Sequence, residues 1–408
     1  MNCGLLGGKL GHSYSPQIHS YLGEYAYQLF EKTPEEIPDL LENGNFSGLN
    51  VTIPYKKTVI PYCHELSPVA QRMGAVNTIV RLADGTLLGH NTDYFGFHAM
   101  VVDSGLSVCD KKVLVLGTGG ASNTAVVVLE DLGAKVVTIS RTGENNYQNI
   151  SQHKDATLIV NATPVGMYPN NGQSPVDLDL FPNLEGVLDM VYNPARTKLL
   201  LDAQQRGLIA KNGLLMLVAQ AKEGSEWFTG QKIADERISF IQQKLVQQME
   251  NIILIGMPGC GKSTIGQILA KKTGRMLVDA DAYIEEKACC TIPEIFAKGG
   301  EDAFRAMETE ALAQLGKESG LIIATGGGCV TRKENYPLLH QNGRIFWLHR
   351  DLELLPTDGR PLSQATALAD MYRVRQPLYQ QFSDYSIENC STPEDAAEEI
   401  LRIWEEQV

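Results

Sequence analysis

The sequence lacks the features that mark membrane and exported proteins. No run of about 18 apolar residues occurs, and no basic segment followed by an apolar one opens the chain, so neither a membrane helix nor a signal peptide is predicted. The eight cysteines form no C-x-x-C pair and no zinc spacing, which favours reduced thiols. These absences predict a cytoplasmic enzyme that has no membrane partner.

Basic residues are also fewer than acidic residues. The chain has 35 Lys and Arg against 48 Asp and Glu, a net charge of −13 at pH 7. An acidic chain offers no extended positive surface, so nucleic acid is not predicted as a partner. Anionic small molecules must then be held by a few local basic side chains and backbone N–H groups. Repeats and low-complexity tracts are missing too, and at roughly 100–200 residues per domain the length predicts two to four domains.

A phosphate-binding motif lies more than halfway along the chain. Residues 256–263, GMPGCGKS, fit G-x-x-x-x-G-K-[ST] and follow a buried apolar strand at 252–255. Lys262 is expected to reach the β- and γ-phosphates, and the Ser263 hydroxyl is expected to bind Mg²⁺. The predicted nucleotide-binding residues are Gly259, Gly261, Lys262, Ser263 and Thr264.

This nucleotide-binding unit needs no residues before it. It opens its own strand, loop and helix at Met249, directly after a polar, glutamine-rich stretch. Residues 1–248 are therefore predicted to form a separate protein that has been fused to residues 249–408.

A second glycine-rich turn, at residues 117–122, follows an apolar strand at 113–116. A helix to about Leu132 and a strand at 135–139 complete a β-α-β unit typical of dinucleotide binding, although Ser122 replaces the third glycine of the fingerprint. An NAD enzyme carries an acidic residue where the second strand ends; Arg141 instead suits a 2′-phosphate, so NADP(H) is predicted. The predicted cofactor-binding residues are Gly117, Gly119, Gly120, Ala121, Ser140, Arg141 and Thr142.

Polar side chains cluster in the first 100 residues. Ser15 precedes Pro16 and is expected to cap a helix that runs to about Leu22, where two serine hydroxyls would accommodate a carboxylate. Strand alternation places Asn50 and Thr52 on one face, and Asp93 taken alone would be a helix N-cap. An Asp-Gly turn at 84–85 predicts a hairpin.

These stretches together resemble the shikimate dehydrogenase family in residue type, order and spacing, and the resemblance spans residues 1–248. It implies that Lys56 and Asp93 are the catalytic pair, with the carboxylate orienting an ammonium that protonates the nascent alkoxide. Residue types alone leave open which of the two is the formal acid. The resemblance further implies that the nicotinamide lies near Gly213 and Met216. It assigns substrate binding to Ser13, Ser15, Asn50, Thr52, Asn77, Tyr192 and Gln220.

Five short motifs follow the phosphate-binding loop. They are D-x-D at 279–281 ending a second strand, F-R at 304–305 on a helix, G-G-G at 326–328 ending a third strand, R-P-L at 360–362 in a lid-like segment, and R-x-P-L-Y at 375–379 on a helix start. Alternation along the strand predicts that both carboxylates point the same way. The set resembles shikimate kinase over residues 249–408.

This second resemblance assigns roles to particular residues. Asp279 assists Mg²⁺ together with Ser263, Asp281 holds the reacting hydroxyl and acts as its base, and Arg360 closes over the transferring phosphoryl group. The substrate carboxylate is held by Arg305 and Arg375 beside Gly327, a use for which two guanidinium groups are well suited. Many family members carry a further arginine several residues before R-P-L, which residues 354–359 lack.

The sequence therefore predicts an α/β chain of three parts. Residues 1–100, completed by helices at about 221–248, form a substrate domain; 101–220 form a Rossmann-type NADP domain; 249–408 form a P-loop, nucleoside-monophosphate-kinase-like parallel-sheet domain. The predicted activities are reduction of 3-dehydroshikimate with NADPH and phosphorylation of shikimate with MgATP. The alternatives are an NAD-linked quinate/shikimate oxidoreductase, a kinase for another small acceptor such as gluconate or a nucleotide, and a non-catalytic module in one half.

Overall fold

The computed structural model describes residues 1–11, 13–355 and 368–406. The chain forms two compact units. The first unit comprises Met1–Gly166, Gln173–Tyr192 and Leu199–Gln242, and the second comprises Met167–Gly172, Asn193–Lys198 and the described chain from Gln243 onward. No helix among the described residues is long and apolar enough to cross a membrane.

The first sheet is mixed and has six strands in the order β2-β1-β3-β5-β6-β4. The strands are β1 Asn2–Gly7, β2 Ala26–Glu31, β3 Gly48–Val51, β4 Glu65–Leu66, β5 Thr78–Arg81 and β6 Leu87–His90, and the helices around them are α1 Ser15–Leu22, α2 Ile37–Asn43, α3 Pro68–Met73 and α4 Asp93–Asp103. β5 and β6 are antiparallel, and Gly85 has a φ of +87° in the turn between them, which confirms the predicted Asp-Gly hairpin.

Two helix starts differ from the prediction by one residue. The N-cap of α1 is Tyr14 and Ser15 is the first helical residue; the Ser13 hydroxyl accepts a hydrogen bond from the Ser15 backbone N–H at 3.2 Å. The N-cap of α4 is Thr92, and the Asn91 side chain accepts from the Asp93 backbone N–H at 3.1 Å. Ser15 and Asp93 therefore lie in the first turns of their helices, with their side chains free of a capping role.

The second sheet of this unit is parallel, in the order β11-β10-β9-β7-β8. Its elements are β7 Lys112–Leu116, α5 Gly120–Asp131, β8 Lys135–Ile139, β9 Leu158–Asn161, β10 Gly186–Asp189, α6 Lys198–Gln205 and β11 Ile209–Asn212. The strand order reverses at β7, so the crevice beyond its carboxyl end is the expected ligand position in such a sheet. Two helices follow, α7 Leu214–Thr229 and α8 Glu236–Met249, and α7 packs against α1, α4, β3 and β5.

The second unit contains a parallel five-stranded sheet in the order β13-β14-β12-β15-β16. Its elements are β12 Asn251–Ile255, α9 Lys262–Thr273, β13 Leu277–Asp279, α10 Ala280–Ala288, α11 Ile292–Leu315, β14 Ile322–Ala324, α12 Asn335–His340, β15 Gly343–His349, α13 Leu368–Phe382, β16 Tyr385–Glu388 and α14 Pro393–Glu406. The central strand β12 is fully buried, as its continuous apolar run predicts for a sheet covered on both faces. The predicted α/β fold class is confirmed.

Two local predictions in this unit are wrong. Strand β13 ends at Asp279, which caps α10 by accepting hydrogen bonds from the backbone N–H groups of Asp281 and Ala282. Asp281 therefore lies on a helix, and strand alternation does not orient it. Arg375 lies in the interior of α13 and not at a helix start, with Pro377 also inside that helix.

Two candidate active sites

The first candidate site is a cleft of about 520 Å³ in the first unit. It lies where β1, β3 and the beginnings of α4 and α7 meet, so residues far apart in sequence share one wall. The predicted residues that line it are Ser13, Ser15, Asn50, Thr52, Lys56, Asn77, Asp93, Ala121, Tyr192, Gly213, Met216 and Gln220. All the residues assigned to the ring acid are thus brought together, with Ala121 of the dinucleotide turn at the same cleft.

Lys56 and Asp93 form an ion pair within this cleft. Lys56 Nζ donates to Asp93 Oδ2 at 2.6 Å, and Asn77 Nδ2 donates to Asp93 Oδ1 at 2.9 Å. Each carboxylate oxygen therefore has its own donor, and the N-terminal position in α4 also favours negative charge. The arrangement holds a lysine ammonium at a defined point of the cleft, where it can donate a proton to a bound ligand.

Asn77 is the centre of a buried hydrogen-bond network. Its Oδ1 accepts from the Thr92 backbone N–H at 2.7 Å and from the Thr78 hydroxyl at 3.0 Å, while its Nδ2 also reaches Thr92 Oγ1 at 3.0 Å. Thr92 Oγ1 lies 3.4 Å from Gln220 Oε1. A buried network in which each polar atom is satisfied keeps its members in one arrangement, so the polar wall of the cleft is preorganised.

The glycine-rich turn has the form that a pyrophosphate requires. Gly117 has a φ of +111°, and a Cβ placed on Gly119 or Gly120 would meet no atom within 4 Å, so the backbone at the start of α5 is open to a ligand. Ser122 Oγ donates to the Gly117 carbonyl at 2.6 Å, which holds the turn closed without the third glycine of the fingerprint. The turn therefore fits a dinucleotide despite the substitution.

The predicted 2′-phosphate residues lie at the neighbouring strand end. The Gly117 backbone N–H donates to the Ile139 carbonyl at 2.9 Å, which places the glycine turn beside Ser140. Ser140 Oγ accepts from the Gly143 N–H at 2.6 Å, and the Arg141 side chain is exposed. The turn glycines and residues 140–142 do not line the ring-acid cleft, as expected for the adenosine end of an extended cofactor.

The second candidate site is a cleft of about 620 Å³ in the second unit. The phosphate-binding loop forms one side of it, and its glycines at 256, 259 and 261 all have positive φ values, a conformation that side chains disfavour. Lys262 Nζ donates to the carbonyls of Gly256 and Met257, each at 3.0 Å, at the start of α9. The loop backbone and this buried ammonium together fit a chain of phosphates.

A hydroxyl and a carboxylate that suit Mg²⁺ lie beside this loop. Ser263 Oγ donates to Asp279 Oδ2 at 2.7 Å. No cluster of three or more His, Cys, Asp or Glu side chains suited to a metal occurs in the described part of the chain. Two protein oxygens with the remaining positions left to phosphate and water fit the way Mg²⁺ is held in phosphoryl-transfer sites.

The opposite side of the cleft presents two arginines and a glycine backbone. Arg375 Nη1 donates to the Gly327 carbonyl at 3.1 Å, and a Cβ on Gly328 would overlap the Arg305 guanidinium. Arg305 Nη1 donates to Glu308 Oε2 at 2.6 Å. The two guanidinium groups therefore converge on the Gly327–Gly328 backbone and can bind one carboxylate bidentately.

Asp281 lies close to a second buried carboxylate, that of Glu308. Within the described structure Asp281 Oδ1 and Glu308 Oε1 are buried without hydrogen-bond partners, and a Cβ on Gly326 would lie within 2.8 Å of both oxygens. Burial, and secondarily the charges of Glu308 and Asp279, raises the pKa of Asp281 to about 6. A carboxylate of raised basicity facing the phosphate-binding loop suits removal of a proton from a hydroxyl.

Sequence reasoning missed several residues of the two sites. Arg350 lines the second cleft, and the fully buried Glu308 supports Arg305 from behind it. Arg350 follows β15, and its buried Nε has no hydrogen-bond partner among the described residues. Lys9 lines the first cleft and Tyr27 lies behind it. Only the position of Arg350 at a strand's carboxyl end gave a usable signal, since the others depend on contacts between distant segments. Arg360 and the R-P-L motif lie outside the described residues.

Comparison with known proteins gives separate matches for the two halves. The family model for the shikimate dehydrogenase substrate binding domain matches residues 5–79, and the model for shikimate kinase matches residues 258–405. The first match covers the mixed sheet up to β5, and the second runs from the phosphate-binding loop into α14.

Relatives and solved structures match the first half at full length. The shikimate dehydrogenase (NADP⁺) of Clostridium beijerinckii is 37% identical over 244 residues, which cover 55% of this chain and 90% of that protein. The crystal structure of shikimate dehydrogenase 1 from Peptoclostridium difficile aligns with 38% identity and a TM-score of 0.54, covering 60% of this chain and 97% of that one. A chorismate mutase/shikimate 5-dehydrogenase fusion protein from Clostridium acetobutylicum aligns with 35% identity and a TM-score of 0.57, covering 60% and 96%.

Proposed function

Since the chain belongs to the shikimate dehydrogenase family and carries a shikimate kinase domain after it, we propose that it is a bifunctional enzyme that makes shikimate and then phosphorylates it. The first site reduces 3-dehydroshikimate with NADPH, and the second transfers a phosphoryl group from MgATP to the 3-hydroxyl of shikimate. The observation that carries the proposal is the pairing within each cleft. The first cleft places Lys56 and Asp93 together with Ala121 of the dinucleotide turn, and the second places the phosphate-binding loop together with Arg305 and Arg375.

In the first site, the polar wall binds the ring acid and Lys56 completes the reduction. Bound NADPH supplies the hydride to the carbonyl carbon. The Lys56 ammonium donates its proton to the carbonyl oxygen as that oxygen becomes an alkoxide, and Asp93 at 2.6 Å keeps the ammonium in place. The hydroxyls of Ser13, just before α1, and of Ser15, its first residue, donate hydrogen bonds to the carboxylate of the ring acid.

In the second site, positioning and charge neutralisation dominate. Bound MgATP supplies the phosphoryl group, with Ser263 and Asp279 as the protein groups on the metal side. Arg305 and Arg375 hold the carboxylate of shikimate, and Asp281 receives the proton of the attacking hydroxyl. Lys262 stabilises the negative charge that accumulates on the transferred group.

The distinguishing experiment is a coupled assay in which NADPH oxidation and ADP formation are followed together. Starting from 3-dehydroshikimate, we expect ADP to form only when NADPH is present. Starting from shikimate, ADP should form without NADPH. Faster ADP formation from gluconate or a nucleoside monophosphate than from shikimate would contradict the assignment of the kinase, and turnover of quinate with NAD⁺ in preference to shikimate with NADP⁺ would contradict that of the dehydrogenase.

Coenzyme choice depends on Arg141. Replacing it with glutamine removes one charge-assisted contact to the 2′-phosphate, so we expect the KM for NADPH to rise about 10- to 100-fold with little change in kcat. The KM for NADH, which has no 2′-phosphate, should stay the same. Steady-state kinetics with both coenzymes measure the two constants.

The matched control for this prediction is Arg206→Gln, since Arg206 is also partly exposed in the same unit but pairs with Asp179 away from the dinucleotide turn. It should leave both KM values unchanged. An equal rise in the KM values for NADPH and NADH in Arg141→Gln would show that Arg141 does not bind the 2′-phosphate.

The chain is also proposed to work in the reducing cytoplasm on small molecules alone. All eight cysteines are free, including the exposed Cys109, Cys289 and Cys390. Exposed thiols persist where glutathione and thioredoxin keep them reduced. Thiol titration of the native protein should therefore detect these cysteines without prior reduction.

A further inference from the structure

Tyr27 lies directly behind the substrate residue Asn50 of the first cleft. Its hydroxyl donates to Asn50 Oδ1 at 2.7 Å, and the Asn50 side chain is only 5% exposed. Tyr27 does not line the cleft, so any effect it has on the ligand must act through Asn50.

The polarity of the hydrogen bonds around Asn50 is set by a backbone group. The Thr92 backbone N–H donates to Asn77 Oδ1, which fixes that oxygen as an acceptor. Thr78 then uses its hydroxyl proton on Asn77 Oδ1 at 3.0 Å and can only accept from Asn50 Nδ2, at 3.2 Å. The Asn50 amide is therefore oriented with its nitrogen toward Thr78 and its oxygen toward Tyr27.

The Asn50 amide also lies close to the α7 backbone. A Cβ on Gly224 would fall 2.8 Å from Asn50 Nδ2, so α7 reaches the amide closely only because residue 224 is a glycine. With Tyr27 bonded to Oδ1 and one N–H bonded to Thr78, the second N–H is the donor that Asn50 can offer to a ligand. Asn50 thus serves the cleft as a hydrogen-bond donor.

The Tyr27 ring is held independently of its hydroxyl. His19 stacks on it with 3.9 Å between ring centroids and 10° between ring planes. His19 Nδ1 lies 2.6 Å from the Tyr25 hydroxyl, which donates to Ser225 Oγ at 2.8 Å. Replacing Tyr27 with phenylalanine therefore keeps the ring in place and removes only the bond to Asn50.

We propose that Tyr27 is a positioning residue of the dehydrogenase site, which fixes the Asn50 amide so that its N–H faces an oxygen of the ring acid. The inference rests on the proposed function of this site. The fixed Asn50 amide makes the site select ligands that present a hydrogen-bond acceptor at this position. The amide cannot turn its oxygen toward a ligand without losing the hydrogen bond from Tyr27.

The test is a double-mutant cycle of Tyr27→Phe and Asn50→Ala, read as kcat and KM for 3-dehydroshikimate. Tyr27→Phe alone should raise this KM about tenfold, leaving the KM for NADPH and the kinase rate unchanged. In the Asn50→Ala background the same change should have no further effect. The matched control is Tyr21→Phe, whose ring packs edge-on to Phe240 and which lies outside the cleft.

Two outcomes would overturn the proposal. One is an unchanged KM in Tyr27→Phe, and the other is an equal effect of Tyr27→Phe in both backgrounds, which would mean that it acts through general stability and not through Asn50. Thermal unfolding of each variant separates that second case from a true kinetic effect. If wild-type protein failed to reduce 3-dehydroshikimate, the proposed function would fall, and this result is distinct from either outcome.

Discussion

Replacing Lys262 with methionine is expected to lower the kinase rate by about 10²- to 10³-fold while the dehydrogenase rate stays unchanged. The Lys262 ammonium is the buried cation of the phosphate-binding loop, and it is held at the loop mouth by the carbonyls of Gly256 and Met257 at 3.0 Å. Methionine is an unbranched side chain only one heavy atom shorter than lysine, so it keeps most of the packing but removes the charge. The measurement is ADP formation with shikimate and MgATP, alongside NADPH oxidation with 3-dehydroshikimate.

The physical reason is that phosphoryl transfer leaves little covalent work to the protein. The site must hold the donor and acceptor in line and neutralise the charge of the transferred group. Lys262 begins α9, so its ammonium and the backbone N–H groups at the helix start act on the same phosphates. Loss of one preorganised charge at this point acts mainly on the transition state, so kcat should fall more than the acceptor KM rises.

A lysine on the same helix provides the control. Lys271 is an exposed residue of α9, and Lys271→Met should leave both activities intact. Loss of both activities in Lys262→Met, with an unchanged unfolding temperature, would contradict two independent sites. A normal kinase rate in that variant would remove the phosphate-binding loop from the mechanism altogether.

Much of the fold could be predicted because glycine positions constrain the backbone locally. The hairpin at Gly85, the turn at Gly117 and the phosphate-binding loop each need φ values that other residues disfavour, and each lies where its motif predicts. Continuous apolar runs such as β12 likewise identify strands covered on both faces. Each of these signals is contained within a few consecutive residues, so it can be recognised in a single sequence.

Local competition explains the errors. The D-x-D motif follows a strand, but the Asp279 carboxylate accepts two backbone N–H groups of the following turn and so ends β13 and starts α10. The R-x-P-L-Y motif is predicted to lie at a helix start, yet Arg375 and Pro377 both lie inside α13. At Asp279 a side-chain interaction with the backbone outweighed the strand pattern.

The unpredicted members of the sites depend on contacts between distant segments. Tyr27 is 23 residues from Asn50 in sequence and reaches it across β1, the strand that pairs with both β2 and β3. Glu308 is fully buried one helical turn after Arg305, but in the sequence it cannot be distinguished from an ordinary helix residue. Such residues support the side chains that line a site, and nothing in their local sequence distinguishes them from ordinary core residues.

Replacing Lys56 with methionine should lower kcat of the dehydrogenase by about 10²- to 10⁴-fold, the usual contribution of a general acid, and leave the kinase unchanged. Lys56 donates to Asp93 at 2.6 Å within the cleft, so its ammonium is held where it can protonate an alkoxide formed there. The KM for NADPH should stay the same, because the dinucleotide turn lies on the other sheet of the unit.

Lys57→Met is the matched control, since Lys57 is adjacent in sequence but exposed. It should retain full activity, and steady-state NADPH oxidation compares the two variants.

In Lys56→Ala the space left by the side chain should let a small primary amine restore part of the rate, because the amine supplies the missing ammonium beside Asp93. A variant that lost activity through misfolding would not respond to amine. Retained activity in Lys56→Met would move the proton transfer to another group, and Asp93 would be the next to test, since Asn77 holds its second oxygen at 2.9 Å in the same cleft.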